Sequence, residues 1–301
     1  MKILVTGVHG QVGHALLKTL EDDYEIVALD RTQLDLSDTD AIRRVVQSVR
    51  PTLIINPAAY TAVDKAESEP ALAHSINTVA PGVMAEEAAK LNASLIHFST
   101  DYVFDGNKET PYVETDAVNP LSVYGRTKLA GELAIQSVGL PHLILRTSWV
   151  YGPHGKNFLK TMLRLSAERD QLKVVADQWG APTSSNAIAY AVNQLLNVWE
   201  MNTASQSGVY HFTNSGSTTW HGFTCAILDA YEEQAARLGL PPLKVKANSV
   251  GAITTADYPT PAVRPHNSRL DQAKLNQTFG VALPAWEQSL QAVMQQIQDF
   301  D

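Results

Sequence analysis

The chain has one cysteine, Cys225, in 301 residues. A lone thiol forms no internal disulfide, and no CxxC pair supplies zinc with thiolates. A disulfide scaffold and a zinc ribbon are both excluded. Cys225 falls in a helical pattern, where a free cysteine packs as a small hydrophobe. This sparing use of cysteine points to the reducing cytoplasm. Long hydrophobic runs are also missing. Lys2 is followed only by Ile3, Leu4 and Val5 before Thr6 and Gly7, which is strand length and too short for a signal-peptide core. No run approaches the roughly 18–20 apolar residues that span a bilayer, so no membrane association is expected. Positive charge is in deficit, with 23 Lys and Arg against 31 Asp and Glu and a net charge of −8. The broad basic face of a nucleic-acid binder is therefore absent, although a local basic pocket for a phosphorylated small molecule is compatible with this balance. Compositional bias is lacking too. Hydrophobic residues at 45% and charged residues at 18% exclude disorder and fibrous repeats.

What is present is alternation. Short apolar runs at Lys2–Thr6, Glu25–Asp30, Leu53–Tyr60, Ser94–Thr100 and His142–Trp149 read as strands. Between them lie helical patterns: Gln11–Leu20, a helix from Asp38 to about Arg50 capped by Ser37 and stopped by Pro51, and one from about Val123 to Gln136. The expected class is α/β, a Rossmann-type doubly wound parallel sheet with a smaller C-terminal substrate-binding lobe. Residues 1–150 and about 185–218 are assigned to the dinucleotide-binding domain. About 151–184 and 219–301 go to the lobe, with helices at Asn157–Glu168, Trp220–Leu238 and Pro284–Ile297.

The first strand ends in Thr6-Gly7-Val8-His9-Gly10-Gln11-Val12-Gly13. A glycine run between a strand and a helix lets the backbone approach a pyrophosphate, and the helix N-terminus offers free N–H groups to the anion. Asp30 lies twenty residues past Gly10 and suits the adenosine ribose hydroxyls of NAD(H). Arg31 follows it and suits the 2′-phosphate of NADP(H). His9 and His14 read as surface histidines.

Tyr124 and Lys128 form a YxxxK pair, on one face of the helix after the fourth strand. That strand ends in Ser99-Thr100-Asp101, where ligand-contacting residues of an open parallel sheet gather. A ketone that accepts hydride needs a proton on its oxygen. Tyrosine supplies it reluctantly at a pKa near 10, and a neighbouring lysine cation lowers that value. The Thr100 hydroxyl can hold the same oxygen in place.

Together these residues resemble the extended short-chain dehydrogenase/reductases over nearly the whole chain. The resemblance extends through TAVDKAESEP (Thr61–Pro70), STDYVFDG (Ser99–Gly106), YGRTKLAGE (Tyr124–Glu132), RTSWVYG (Arg146–Gly152), NFLKTMLRL (Asn157–Leu165), DQWGAPT (Asp177–Thr183) and YPTPAVRPHNSRLD (Tyr258–Asp271). The late motifs mark a sugar-nucleotide branch. The resemblance implies reduction of the C4 ketone of dTDP-6-deoxy-L-lyxo-4-hexulose to dTDP-L-rhamnose, with NADPH or NADH as cofactor and the dTDP-sugar as partner. It implies Tyr124 as proton donor, Lys128 as its partner and ribose ligand, and Thr100 as the tuning hydroxyl. Gly7, Gly10, Gln11, Val12 and Gly13 would line the pyrophosphate. Asp30, Arg31, Asp35 and Leu36 would surround the adenosine, and Ala59, Tyr60 and Thr61 would flank the cofactor. Asp101, Trp149, Arg264 and Arg269 would face the sugar nucleotide, with an arginine on the diphosphate. Some relatives carry a glutamate just after the third glycine, which contributes to a magnesium-linked dimer. Here His14 and Ala15 follow Gly13, so no metal site is assigned, and the chain is expected to be a monomer or a homodimer. Two alternatives remain open on the residues: a reductase making dTDP-6-deoxy-L-talose, and a non-catalytic regulatory subunit like that of methionine adenosyltransferase.

Overall fold

The computed structural model describes residues 1–201 and 203–297. Six parallel strands form the central sheet: β1 (Lys2–Thr6), β2 (Glu25–Leu29), β3 (Leu53–Asn56), β4 (Ser94–Thr100), β5 (His142–Thr147) and β6 (Gly208–His211). Their spatial order is β6-β5-β4-β3-β1-β2. The strands β3, β4 and β5 are buried along their whole length. That is why their sequences are continuous apolar runs and not alternating ones.

Helices cover both faces. On one, α1 (Gln11–Leu20) packs against α6 (Ser185–Val198) over Ile3, Val5 and Leu145. On the other, α2 (Thr39–Val49), α3 (Ala80–Lys90) and α4 (Val123–Val138) lie over Leu4, Ile54 and Ile144. A second apolar cluster, with Tyr151, Leu163, Phe223, Leu243 and Trp286, is built around α5 (Phe158–Glu168), α7 (Trp220–Leu238) and α9 (Trp286–Met294). The short α8 (Ala273–Phe279) instead joins the first cluster. Residues 298–301 of the expected lobe lie outside the described residues. Among the described residues, no helix is long and apolar enough to cross a membrane.

Local chemistry moves several boundaries from the sequence reading. The cap of α2 is Asp38, not Ser37. The Asp38 carboxylate accepts the Ala41 N–H at 2.8 Å, while the Ser37 hydroxyl donates to Asp35. The helix stops at Arg50, which takes a left-handed conformation just before Pro51. The third strand ends at Asn56 and not at Tyr60, because Pro57 brings no N–H to the ladder. The fifth ends at Thr147 and not at Trp149, whose φ of 48° is incompatible with a strand. The reversal of strand order falls between β1 and β3, so the crevice beyond their C-terminal ends is the place where such sheets bind ligands.

Candidate active site

A cavity of about 580 Å³ opens at that point. Its floor is the glycine turn after β1. A Cβ on Gly13 would sit 2.3 Å from the Gly7 carbonyl oxygen, so α1 can begin this close to the strand only without a side chain there. Gly7, Gly10, Gln11, Val12 and Gly13 all line the cavity, as do Asp30, Arg31 and Leu36. Ala59, Tyr60 and Thr61 form the edge after β3. This edge is clamped from below. Asn77, buried in a π-helical stretch before α3, accepts the Tyr60 N–H at 2.8 Å and donates to the Tyr60 carbonyl and the Thr127 hydroxyl.

The Asp30 carboxylate already accepts three bonds on one oxygen: the Thr32 hydroxyl at 2.6 Å and the N–H groups of Thr32 and Gln33. Its other oxygen is 2.9 Å from His9 Nε2. The Thr32 hydroxyl, helped by the two backbone N–H groups and His9, holds this carboxyl down at about 2. His9, read from the sequence as a bystander, therefore touches the expected ribose ligand. Asp35 caps its own turn through Ser37 and is not part of the lining.

Tyr124 and Lys128 line the same cavity from the first turns of α4. Ser122 starts this helix by accepting the Gly125 N–H at 3.1 Å. Gly125 lets it press on the turn after β4, since a Cβ there would fall 2.2 Å from the Tyr102 carbonyl oxygen. Burial, then the charge of Asp101, pushes the Tyr124 phenol above its ordinary value, while the Thr100 hydroxyl pulls it the other way. The YxxxK spacing predicts that Lys128 lowers this value; burial and the Asp101 charge raise it instead, and Lys128 is not among the groups that shift it. Lys128 is 1% exposed, and its ammonium group contacts His97 Nε2 at 3.0 Å and the Phe98 carbonyl at 2.6 Å. Burial lowers it to about 8, with Glu132 opposing. Glu132 is itself held by Arg146 through two bonds, at 2.9 and 2.6 Å, and by the Ser99 hydroxyl.

Thr100 and Asp101 sit just behind the lining. The Thr100 hydroxyl donates to Asp101 Oδ1 at 2.9 Å, and the Ser268 hydroxyl also acts on this buried carboxyl. Burial raises the Asp101 carboxyl to about 6. The other substrate candidates are engaged elsewhere and do not line this cavity. Trp149 stacks on Trp220 with ring centres 3.5 Å apart. Arg264 makes a two-pronged pair with Asp64, at 3.0 and 2.8 Å. Arg269 holds Asn267 and the Glu109 carbonyl. Sequence reasoning missed Lys156, a cation of the lining, and His97 beneath Lys128. The signal for His97 was a titratable residue inside the apolar run SLIHFST. Among the described residues, no group of three or more His, Cys, Asp or Glu could hold a metal. His14, at the position of the missing glutamate, stacks on His154.

The family described as RmlD substrate binding domain matches residues 1–299. The chain is 43% identical over 301 residues to the dTDP-4-dehydrorhamnose reductase of Escherichia coli K12, covering 99% of this chain and 98% of that protein. It is 45% identical over 289 residues to the enzyme of the same name from Burkholderia thailandensis, covering 95% of each. Among solved structures, a dTDP-4-dehydrorhamnose reductase from Clostridium acetobutylicum superposes with a TM-score of 0.89 at 37% identity, over 98% of this chain and 99% of that one. The Bacillus anthracis enzyme in complex with NADP gives 0.87 at 35% identity, over 97% and 98%.

Proposed function

The chain belongs to the RmlD family, that of the dTDP-4-dehydrorhamnose reductases. On that premise we propose that it reduces the C4 ketone of dTDP-6-deoxy-L-lyxo-4-hexulose (dTDP-4-dehydro-L-rhamnose) to dTDP-L-rhamnose. The observation that carries the reading is one cavity lined by the glycine turn, Tyr124 and Lys128 together.

The lining suits a dinucleotide. The glycine turn leaves its backbone bare for a pyrophosphate, and Arg31 and Lys156 bring cations suited to phosphate oxygens. Arg31 favours NADPH, and Asp30 keeps NADH usable. When bound, the reduced nicotinamide supplies the hydride. Tyr124 then donates its phenolic proton to the ketone oxygen. Its raised value keeps that proton in place at neutral pH until negative charge develops on the substrate. The Thr100 hydroxyl fixes the tyrosine oxygen, and Lys128 meets the nicotinamide ribose and favours the tyrosinate that remains.

Asp101, Trp149, Arg264 and Arg269 form the sugar-nucleotide side of this reading. Arg264 meets the diphosphate by exchanging the Asp64 carboxylate for phosphate oxygens. The two-lobe division, 1–150 with 185–218 against 151–184 with 219–301, puts these residues mostly on the second lobe or its border. A magnesium-linked dimer forms no part of the reading, because His14 cannot replace the carboxylate.

The test supplies purified protein with dTDP-6-deoxy-L-lyxo-4-hexulose and either NADPH or NADH, with the product identified by NMR. Rapid oxidation and a rhamno product are expected. A talo product would replace the substrate-face assignment. No oxidation by folded protein would overturn the reading.

A further inference from the structure

A line of buried polar side chains crosses the sheet beneath the cavity. It runs from Thr6 on β1 through Asn56 on β3 and His97 on β4 to Lys128 on α4. Thr6 Oγ1 is 2.6 Å from Asn56 Oδ1, Asn56 Nδ2 is 3.1 Å from His97 Nδ1, and His97 Nε2 is 3.0 Å from Lys128 Nζ. None of the four side chains is more than 2% exposed. Asn56 and His97 stand side by side in the register of β3 and β4.

Donor accounting along this line has one solution for a charged lysine. Burial and the Lys128 charge hold His97 well below its ordinary value, so its ring is neutral and carries one N–H. A lysine ammonium only donates. A proton on Nε2 would set two donors face to face at 3.0 Å. The ring proton therefore belongs on Nδ1. Asn56 must then turn its carbonyl oxygen to His97 and its NH₂ to the Thr6 hydroxyl, an exchange of two atoms of equal shape. The other charged or titratable groups linked to Lys128 are Glu132 on its own helix, which pairs with Arg146 on β5, and Tyr124 one turn earlier, on which Asp101 after β4 acts.

We propose that His97 is a positioning residue for Lys128. Asn56 fixes it as the Nδ1–H tautomer, and its Nε2 accepts one ammonium N–H. The Phe98 carbonyl accepts a second, which leaves the third for the cavity that Lys128 lines. The inference rests on the reading of Lys128 as partner of Tyr124, yet its first test does not depend on turnover.

That test is ¹⁵N NMR of histidine-labelled wild-type protein, with the His97 signals identified as those lost in His97→Gln. A pyrrole-type Nδ1 and a pyridine-type Nε2 are expected at neutral pH; the opposite pattern overturns the proposal and leaves the proposed reaction standing. The second test is the pH dependence of kcat. Activity is expected to fall as Lys128 loses its proton near 8. In His97→Leu the buried ammonium lacks an acceptor, so the fall should begin about one pH unit lower, with kcat down about tenfold or more. In His97→Gln, Oε1 takes the place of Nε2, and the profile should stay near that of the wild type. Superimposable profiles for the Leu and Gln variants would overturn the proposal, and absence of wild-type turnover would count against the reaction instead.

Discussion

The glycine-turn side of the site is made largely of backbone and of strand ends, whereas the side that carries the proposed substrate residues, outside the cavity lining, is made of side chains that meet across long stretches of sequence. On the first side, Gly7 and Gly13 shape a turn of seven residues, and Asn77 locks the Tyr60 segment from seventeen residues away. On the second, Arg264 reaches Asp64 two hundred residues earlier, and Trp149 stacks on Trp220. A wall of backbone is organised as soon as the sheet forms. A wall of paired side chains can be rearranged by a ligand that offers a better partner.

If that contrast is right, the firmest support should belong to the sheet side. Glu132 and Arg146 are buried, at 2% and 5% side-chain exposure, and paired through two hydrogen bonds. Glu132→Gln leaves the guanidinium uncompensated and is expected to destabilise the protein by about 3–5 kcal/mol in urea unfolding. A loss below about 1 kcal/mol would mean that the pair is a bystander.

A smaller effect, of opposite sign, is expected at Asp101. Its folded value of about 6 lies above the ordinary 3.8. Between those two values the folded protein holds a proton that the unfolded chain has released, so stability falls as pH rises through that window. Above it, the buried charge costs on the order of 2–3 kcal/mol. Asp101→Asn should accordingly be more stable than wild type at pH near 8, with the advantage vanishing near pH 3. Thermal unfolding at the two pH values measures it.

The smallest effect should fall on the side-chain wall. Arg264→Ala removes a guanidinium from the proposed diphosphate contact. It is expected to raise KM for the sugar nucleotide about tenfold, with the NADPH affinity unchanged. A loss of NADPH affinity of the same size would join the two walls into one unit.

The same contrast explains what could be read in the sequence. The glycine turn, the strand–helix alternation and the Tyr124–Lys128 spacing are local patterns, and α7 was legible to the residue because Thr219 caps it and Gly239 closes it. Boundaries went wrong where one residue's backbone overrides its neighbours, at Pro57 and at Trp149. The short α8 carries too few turns to show a period. His97 and Asn56 matter through each other and through Lys128, and no spacing rule joins positions 56, 97 and 128. The Arg264–Asp64 pair was out of reach for the same reason. A sequence shows that an arginine is present and not which carboxylate it meets.

The proton donor can be tested most directly by comparing Tyr124→Phe with the wild type in two assays on the same protein: NADPH binding by titration, and turnover of dTDP-6-deoxy-L-lyxo-4-hexulose. Tyr124 lines the cavity, but the glycine turn and the Tyr60 edge would hold the cofactor without its hydroxyl. NADPH affinity should therefore stay within about twofold, while kcat drops by about 10²–10⁴. Turnover near the wild-type rate would remove Tyr124 from the acid role and contradict the proposed chemistry.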